Sequence, residues 1–186
     1  RAFINLEVRI QNPMGEVLPS NSVGEIALRG PTVMKGYHKQ TQATADVLSA
    51  DGWLRTGDLG SMDEHGFIIF HDRLKDMIKT GGINVYSQEV EQVLAKHPAI
   101  REVGVIGLPS QEWDEEVTAV VVVHDGAEIV ASEIVAFGRE RLSGFQVPKR
   151  VIFLAYEEMP INYSGKILKK ELRKMLVEQV AREEGK

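Results

Sequence analysis

Three short segments of the chain hold polar residues at spacings that could do chemistry. The first runs from His71 to Glu91 and contains Lys75, Lys79 and the pair Gly81-Gly82. Two adjacent glycines can take the positive φ of a tight turn and leave the backbone uncovered by side chains. From Ser87 the spacing becomes helical, so we predict a helix with Ser87 as its N-cap. Taken alone, the segment also fits an ordinary surface hairpin that leads into an amphipathic helix.

The second segment, Trp53 to Gly60, ends a strand-like run in Thr56-Gly57-Asp58. A Gly-Asp turn is a common structural use of aspartate, so the segment alone is weak evidence for a site. An ionised carboxylate, however, only accepts hydrogen bonds and can take two hydroxyl protons at once. Asp58 therefore suits the binding of a ligand that carries neighbouring hydroxyl groups.

The third segment is Pro160 to Ile167, which reads PINYSGKI. It lacks the first Gly and the final Ser or Thr of a Walker A loop, so that motif is excluded. We predict that Lys166, Lys169 and Lys170 lie in the first turns of a last helix. Helix N-termini prefer anions, by about 0.3–1 kcal/mol per charge, so stability does not explain three cations there. An anionic ligand would explain them, whereas a loop with a solvated lysine is the plainer interpretation.

Composition excludes several classes of protein. The chain has 186 residues, 43% hydrophobic and 26% charged, which is ordinary for one large or two small globular domains. A net charge of −5 offers no general attraction for nucleic acid, so we expect no such partner. The absence of cysteine excludes disulfides, thiolate metal sites and Cys nucleophiles. No run approaches the roughly 20 apolar residues of a membrane helix, and we expect a cytoplasmic location. The start lacks an initiator Met and does not read as a signal peptide, so we expect a piece of a longer protein.

Turn signals divide the chain into a strand-rich part followed by a part in which strands and helices alternate. In the first part we predict strands over 3–10, 24–29 and 66–70 and a short helix over 40–49. In the second part we predict strands over 103–108, 117–123 and 150–154 and helices over 133–142 and 168–179. The sequence therefore predicts a mixed fold, α+β or α/β, whose second domain has about 110 residues. The charged residues 72–75 mark the boundary.

Together the three segments resemble the signature motifs of the adenylate-forming superfamily, which includes acyl-CoA synthetases, luciferases and the adenylation domains that load carrier proteins. The matching residues follow the family's order: Thr56-Gly57-Asp58, Asp72-Arg73, Lys75, Ile78-Lys79, Gly82, Glu89-Val90-Glu91 and Pro160 with Gly165-Lys166. The resemblance covers nearly the whole chain. It looks closest to fatty-acyl and aryl CoA ligases, because carrier-loading domains usually carry an Arg after a single Gly at the Gly81-Gly82 position.

The resemblance implies a domain arrangement. Residues 1–72 would be the C-terminal, β-rich and barrel-like edge of a large adenylation domain, residues 73–76 a hinge, and residues 77–186 a small α/β lid domain. The family's phosphate loop and its aromatic-Gly-x-Thr-Glu motif do not occur in the sequence. In the family these carry the triphosphate contacts, the ligand of Mg²⁺ and the acyl pocket. The rest of the parent enzyme is therefore expected to supply them, and this chain alone is expected to be inactive.

The resemblance also implies an activity, the ATP-dependent ligation of a carboxylic acid, fatty-acid-like or aryl, to CoA through an acyl-adenylate. Lys166 would be the catalytic lysine of adenylate formation. Asp58 would accept hydrogen bonds from the ribose hydroxyls of ATP, with Arg73 as its partner in holding the ribose.

In the second step, the resemblance implies that the lid turns about Lys75 and withdraws the catalytic lysine. Lys79 would then face the adenylate. Gly81 and Gly82 would let the pantetheine of CoA pass close to the backbone, where a Cβ would intrude. This arrangement belongs to thioester formation.

Two departures from the family pattern and two other functions remain open. Asp114 stands where many relatives have Gly, and Tyr163 stands where many have Pro; both concern loop geometry rather than reaction class. The parent enzyme could deliver the acyl group to a carrier protein instead of CoA. The chain could also be a non-catalytic interaction module. Such a module would need none of Asp58, Arg73, Lys75, Lys79 and Lys166.

Overall fold

The computed structural model describes residues 5–184, and side chains as far as residue 180. The chain divides into two compact units, Arg1–Lys75 and Asp76–Lys186. The elements of the first unit are β1 (Glu7–Gln11), β2 (Gly24–Arg29), α1 (Thr41–Val47), β3 (Leu54–Met62) and β4 (Ile68–Arg73). Those of the second are β5 (Ile78–Thr80), β6 (Ile83–Val85), α2 (Ser87–Leu94), β7 (Ile100–Ser110), β8 (Asp114–Val123), α3 (Ala131–Arg139), β9 (Arg150–Phe153) and α4 (Lys169–Glu184), with a 3₁₀ turn at Tyr156–Glu158.

The first unit is an antiparallel sheet whose strands follow chain order, β1-β2-β3-β4. Ile10, Ala27 and Leu59 are buried. Trp53 is also buried, and the guanidinium groups of Arg9 and Arg29 lie 4.1 and 4.7 Å from its ring centroid. Strands β1 and β4 are the two edges in this order, and the expectation that they belong to a barrel-like part of a larger domain stays a prediction.

The second unit is a sheet covered by helices on both faces. Its strand order is β6-β5-β8-β7, with β9 paired to β8. Alternate residues of β7 and β8 serve two separate cores. One core contains Val105, Val117 and residues of α2 and α3; the other contains Ile106, Val120 and residues of α4. The run Val117–Val123 is continuously apolar except at Thr118 because both faces of this strand are covered.

The structure confirms a mixed α+β fold and corrects its finer description. An α/β lid was expected, yet β5, β6, β7 and β8 pair antiparallel, and β8–β9 is the parallel pair among the described strands. Only residues 111–113 join β7 to β8, and so short a connection requires an antiparallel hairpin. The predicted start of the first strand, at residue 3, lies outside the described residues.

Two predicted helix starts were wrong. The N-cap of α2 is Tyr86, and Ser87 is the first helical residue. The Ser87 hydroxyl accepts a hydrogen bond from Lys169 Nζ at 2.7 Å, so it has a long-range partner. The last helix begins at Lys169, which leaves Lys166 in the preceding turn rather than in the helix.

Candidate functional site

Asp58 and Arg73 face each other across the neighbouring strands β3 and β4. Arg73 Nε lies 3.2 Å from Asp58 Oδ1. That distance makes an ion pair, but Asp58 Oδ1 has no hydrogen bond although the atom is buried. A buried carboxylate oxygen with an ion-pair partner but no hydrogen bond is uncommon in proteins. The two residues that sequence reasoning paired are thus adjacent, and one oxygen is free to accept a hydrogen bond.

The segment before Asp58 is held by Glu25, a residue that the sequence analysis missed. Glu25 is 5% exposed, and its carboxylate accepts hydrogen bonds from Arg55 Nε at 2.8 Å and from the backbone N–H of Gly57 at 3.1 Å. The Thr56 hydroxyl donates to the Ile26 carbonyl at 2.7 Å and accepts from the Asp58 N–H at 3.1 Å. Gly57 has φ +73°, which a side chain would disfavour. These contacts fix the backbone that presents Asp58.

The Gly81-Gly82 pair forms the tip of the β5–β6 hairpin. Both glycines have positive φ, +55° and +79°. The N–H of Gly81 donates to the Trp113 carbonyl at 2.8 Å, and a Cβ on Gly81 would lie 3.1 Å from Trp113 Cε3. A Cβ on Gly82 would meet no atom within 4 Å. Packing against Trp113 and the positive φ both favour glycine at position 81, whereas the space beside Gly82 is open.

Lys79 lies on β5 with its side chain exposed, and its backbone N–H donates to Glu115 Oε2 at 2.9 Å. The other carboxylate oxygen of Glu115 pairs with Arg173 of α4. The sequence analysis missed both partners. Their contacts join the strand of Lys79 to β8 and to the last helix.

Lys166 projects from a turn that precedes α4, and its side chain is exposed. Its backbone N–H donates to Asn162 Oδ1 at 2.9 Å, and its carbonyl accepts from the Asn162 N–H at 2.9 Å. Gly165, just before it, has φ +80°. The lysine thus has a fixed backbone and a side chain that can reach a ligand.

The three lysines predicted at the helix start lie in different surroundings. Lys169 Nζ lies 2.7 Å from Glu91 Oε1, so this cation already has an anionic partner within the protein. Glu91 Oε1 also accepts a hydrogen bond from the Val105 N–H at 2.7 Å. Lys166 lies outside the helix, and Lys170 is exposed on its first turn. Internal pairing, rather than a ligand, accounts for Lys169.

Lys75 is the last residue of the first compact unit and lies in the turn between β4 and β5. Its side chain is exposed.

The two residues at which the sequence departs from the family pattern lie in different local settings. Asp114 has φ +67°, the region where glycine is most at ease, and Tyr163 is fully exposed in the turn before Lys166.

The structure therefore shows three local groups. Asp58 and Arg73 form one in the first unit. In the second unit, Lys79 lies beside the Gly81-Gly82 hairpin tip, and Lys166 lies in a separate turn before α4. Among the side chains described, those of residues 5–180, there is no group of three or more His, Asp or Glu that could hold a metal ion. None of the helices described is long and apolar enough to cross a membrane.

Comparison with known proteins gives the class of the chain. Residues 89–166 match the family of AMP-binding enzyme C-terminal domains. A feruloyl-CoA synthase from Amycolatopsis sp is 46% identical over 168 residues, which are 90% of this chain and 34% of that protein.

Two solved structures are similar in fold as well as in sequence. An o-succinylbenzoate CoA synthetase from Bacillus subtilis, in complex with the acyl-adenylate intermediate OSB-AMP, has a TM-score of 0.83 at 37% identity, with 91% of this chain and 34% of that one covered. An amide bond synthetase from Marinactinospora thermotolerans has a TM-score of 0.81 at 42% identity, with 92% and 34% covered.

The chain belongs to the adenylate-forming superfamily, and residues 89–166 are part of its C-terminal domain. Acid–CoA ligases are among its relatives. The chain spans about a third of the length of the curated relatives it matches, 34% for the feruloyl-CoA synthase.

Proposed function

We propose that the chain is the hinge and lid region, with the adjoining part of the large domain, of an AMP-forming acid–CoA ligase. In the first step a carboxylate oxygen attacks the α-phosphorus of ATP, an acyl–phosphate bond forms, and pyrophosphate leaves. In the second step the thiol of CoA attacks the acyl carbon, loses its proton, and displaces AMP. The relatives with named acids act on ferulate and 2-succinylbenzoate, so an aryl acid is the first substrate class to test, with fatty acids as the second.

The buried, unbonded Oδ1 of Asp58 carries this proposal. A carboxylate oxygen that pairs with an arginine but makes no hydrogen bond suits a ribose hydroxyl, which would donate to it. Glu25 and Thr56 hold the backbone around Asp58, so the acceptor is positioned before the nucleotide arrives. Arg73, exposed on the next strand and paired with Asp58, would face the same ribose.

Lys166 would act in the first step. The attacking carboxylate and the α-phosphate are both anions, so a cation between them stabilises the transition state by several kcal/mol in a site closed to water. A lysine ammonium is compact and sits on a flexible stem, which suits this task. The described residues offer no metal cluster, so the ligand of Mg²⁺ would come from the rest of the enzyme, and Mg²⁺ would supply further charge on the phosphates.

For the second step CoA must reach the adenylate. We propose that the lid turns about Lys75, which lies where the two compact units meet in sequence. The open space beside Gly82 would admit the pantetheine, and the exposed Lys79 would face the adenylate. Closure on a few backbone dihedrals is a common device for assembling and dismantling a site.

The test uses the full-length enzyme with a panel of aryl and fatty acids. ATP–pyrophosphate exchange should depend on one of these acids, and AMP release should depend on CoA. Asp58→Asn keeps the side-chain shape but replaces one acceptor oxygen by a donor, so it should raise the KM for ATP at least tenfold. Asp63→Asn is the control, a half-buried aspartate on the following turn whose acceptor oxygen for the Phe67 N–H the amide retains. The absence of exchange with every acid would favour a non-catalytic module.

A second candidate function differs only in the acceptor. The amide bond synthetase is 42% identical to this chain, so an amine could replace the thiol of CoA. Supplying synthetic acyl-adenylate with CoA, with a carrier-protein thiol or with an amine distinguishes the three acceptors. Thioester formation with CoA at least tenfold faster than either rival reaction supports the proposal, and the opposite order would overturn it.

A further inference from the structure

The loop that carries Lys166 is one of four turns of the same geometry in the described part of the chain. They span residues 12–16, 49–53, 63–67 and 162–166. In each, the N–H of the first residue donates to the carbonyl of the fifth, and the N–H of the fourth donates to the carbonyl of the first, at 2.9–3.0 Å. The fourth residue is always glycine, with φ between +77° and +87°. Positive φ at that position explains the glycine.

The first residue of each turn also uses its side chain. Its oxygen accepts a hydrogen bond from the N–H of the fifth residue, at 2.8–3.0 Å. The residue types are Asn at 12 and 162, Ser at 49 and Asp at 63. These short side chains commonly bond to the backbone of the following residues in turns. The fifth residue therefore has both its N–H and its carbonyl bonded to the first.

In the fourth turn the fifth residue is Lys166, and the first is Asn162. Asn162 Oδ1 accepts from the N–H of Lys166 at 2.9 Å, and also from the N–H of Ser164 at 2.9 Å and its hydroxyl at 2.8 Å. The base of the turn is closed by the pairing of Ile161 with Ile167. One exposed lysine thus stands on a backbone held at both of its polar groups by Asn162.

We propose that Asn162 is a positioning residue for Lys166 in adenylate formation. This inference rests on the proposed function. The side-chain amide would not touch the reacting atoms; it limits where the lysine backbone, and hence the ammonium, can stand. A displacement of about 1 Å from the productive geometry costs roughly a hundredfold in rate, so loosening the turn has a measurable effect. The turn is largely exposed, so water can replace the lost bonds and the fold survives.

The chain supplies its own matched variants. Asn162→Ala removes the acceptor. Asn162→Ser restores an oxygen that can accept from the N–H of the fifth residue, as Ser49 does from Trp53. It therefore tests the bond to Lys166 separately from the two bonds that Ser164 makes to Asn162. Asn12→Ala makes the same change in the same turn at a place that carries no proposed site residue, where the fifth position is Glu16.

The kinetic experiment measures both half-reactions of the full-length enzyme. Asn162→Ala should slow acid-dependent ATP–pyrophosphate exchange by about 10- to 100-fold at saturating ATP, with the KM for ATP within twofold and acyl transfer from supplied adenylate within twofold. Asn162→Ser should recover most of the rate, and Asn12→Ala should match the wild type. Lys166→Ala serves as the benchmark and should lose about 10²–10³-fold in exchange alone.

The outcomes separate the inference from the proposed function. If Lys166→Ala slows exchange but Asn162→Ala does not, Asn162 is not a positioning residue. If Asn162→Ala slows both half-reactions equally, the change damages the lid and the inference is wrong. If Lys166→Ala leaves exchange unchanged, the proposed role of Lys166 fails and the inference falls with it.

A second readout does not depend on activity. Hydrogen exchange of the Lys166 amide should be at least tenfold faster in Asn162→Ala than in the wild type, and Asn162→Ser should restore its protection. Asn12→Ala should leave that amide unchanged. Equal exchange in the wild type and Asn162→Ala would show that the bond does not hold Lys166.

Discussion

Lys169 of α4 and Glu91 of α2 form an ion pair of 2.7 Å that joins two helices of the second unit. Their side chains are only 16% and 18% exposed. The same glutamate accepts the Val105 N–H, and the same lysine donates to Ser87. The pair connects the helix that follows the Gly81-Gly82 hairpin to the helix that follows the Lys166 turn.

Breaking this pair should destabilise the fold. Lys169→Met leaves Glu91 partly buried without its cation, so we expect the free energy of unfolding to fall by about 1.5–3 kcal/mol. Urea unfolding measures the change. Lys170→Met, on the exposed neighbouring position, should stay within about 0.5 kcal/mol of the wild type. Equal effects of the two substitutions would mean that the pair contributes no more than a surface ion pair.

Asp114 offers a stabilising substitution. Its φ of +67° strains a residue with a Cβ, and its side chain is exposed, so Asp114→Gly should raise the free energy of unfolding by about 0.5–1 kcal/mol. Thermal or urea unfolding is the measurement. Asp125→Gly is the matched control, because Asp125 is exposed and is not among the residues with positive φ. At position 125 glycine only adds conformational entropy to the unfolded chain, so the free energy of unfolding should fall. A higher free energy of unfolding in both variants would show that the φ of Asp114 is not the cause.

Gly82 can be tested against another glycine that has a similar φ and open space beside its Cα. Gly82 and Gly126 have φ of +79° and +77°, and a Cβ at either would meet no atom within 4 Å. Gly82→Leu and Gly126→Leu should therefore lose similar stability, about 1 kcal/mol or more. Only Gly82→Leu should slow acyl transfer to CoA, with pyrophosphate exchange preserved, because only that side chain would block the pantetheine. Normal transfer by Gly82→Leu would remove the glycine from the proposed path.

Lys75→Pro should uncouple the two half-reactions. Proline fixes φ near −65° and biases the preceding Leu74 toward extended values, so the lid should be held near one orientation. We expect the adenylating arrangement, in which overall turnover falls strongly while pyrophosphate exchange stays within about tenfold, a barrier change of roughly 1.4 kcal/mol. Lys75→Ala removes the same side chain but keeps the backbone free, and it should uncouple nothing. A joint loss of both half-reactions in a protein that still unfolds cooperatively, or no loss in either, would show that position 75 is not the pivot.

Local patterns predicted much of the fold. Strand β2 was predicted over residues 24–29 and found there, because Gly24 opens the run and Gly30-Pro31 ends it. The buried strands β7 and β8 were also found where their apolar runs predicted them. The direction of strand pairing was the weaker inference. An alternation of strands and helices suggested an α/β domain, while the three-residue link between β7 and β8 decided that this pair is antiparallel.

In the candidate site, too, the sequence predicted the residues of short motifs but not the distant residues that contact them. The motif residues could be named from the sequence because each motif is short. Glu25, which holds Gly57, lies 32 residues away from it, and the partner of Lys169 lies on another helix. No spacing rule links such pairs, since they meet only when the sheet or the helices pack. For that reason the charge of Lys169 was assigned to a ligand, when the fold supplies Glu91.

The four repeated turns also bear on how the chain folds. The hydrogen bonds that shape residues 162–166 span only four positions, so closing that loop costs little chain entropy and can occur within microseconds. The parallel pairing of β8 with β9, in contrast, must bring together residues about thirty positions apart, such as Thr118 and Arg150. The backbone of residues 162–166 is therefore shaped by hydrogen bonds within five consecutive residues, while Ile161 and Ile167 on either side of it pack against the core. The same five residues should therefore form the same turn, and present a lysine in the same way, when placed in another hairpin.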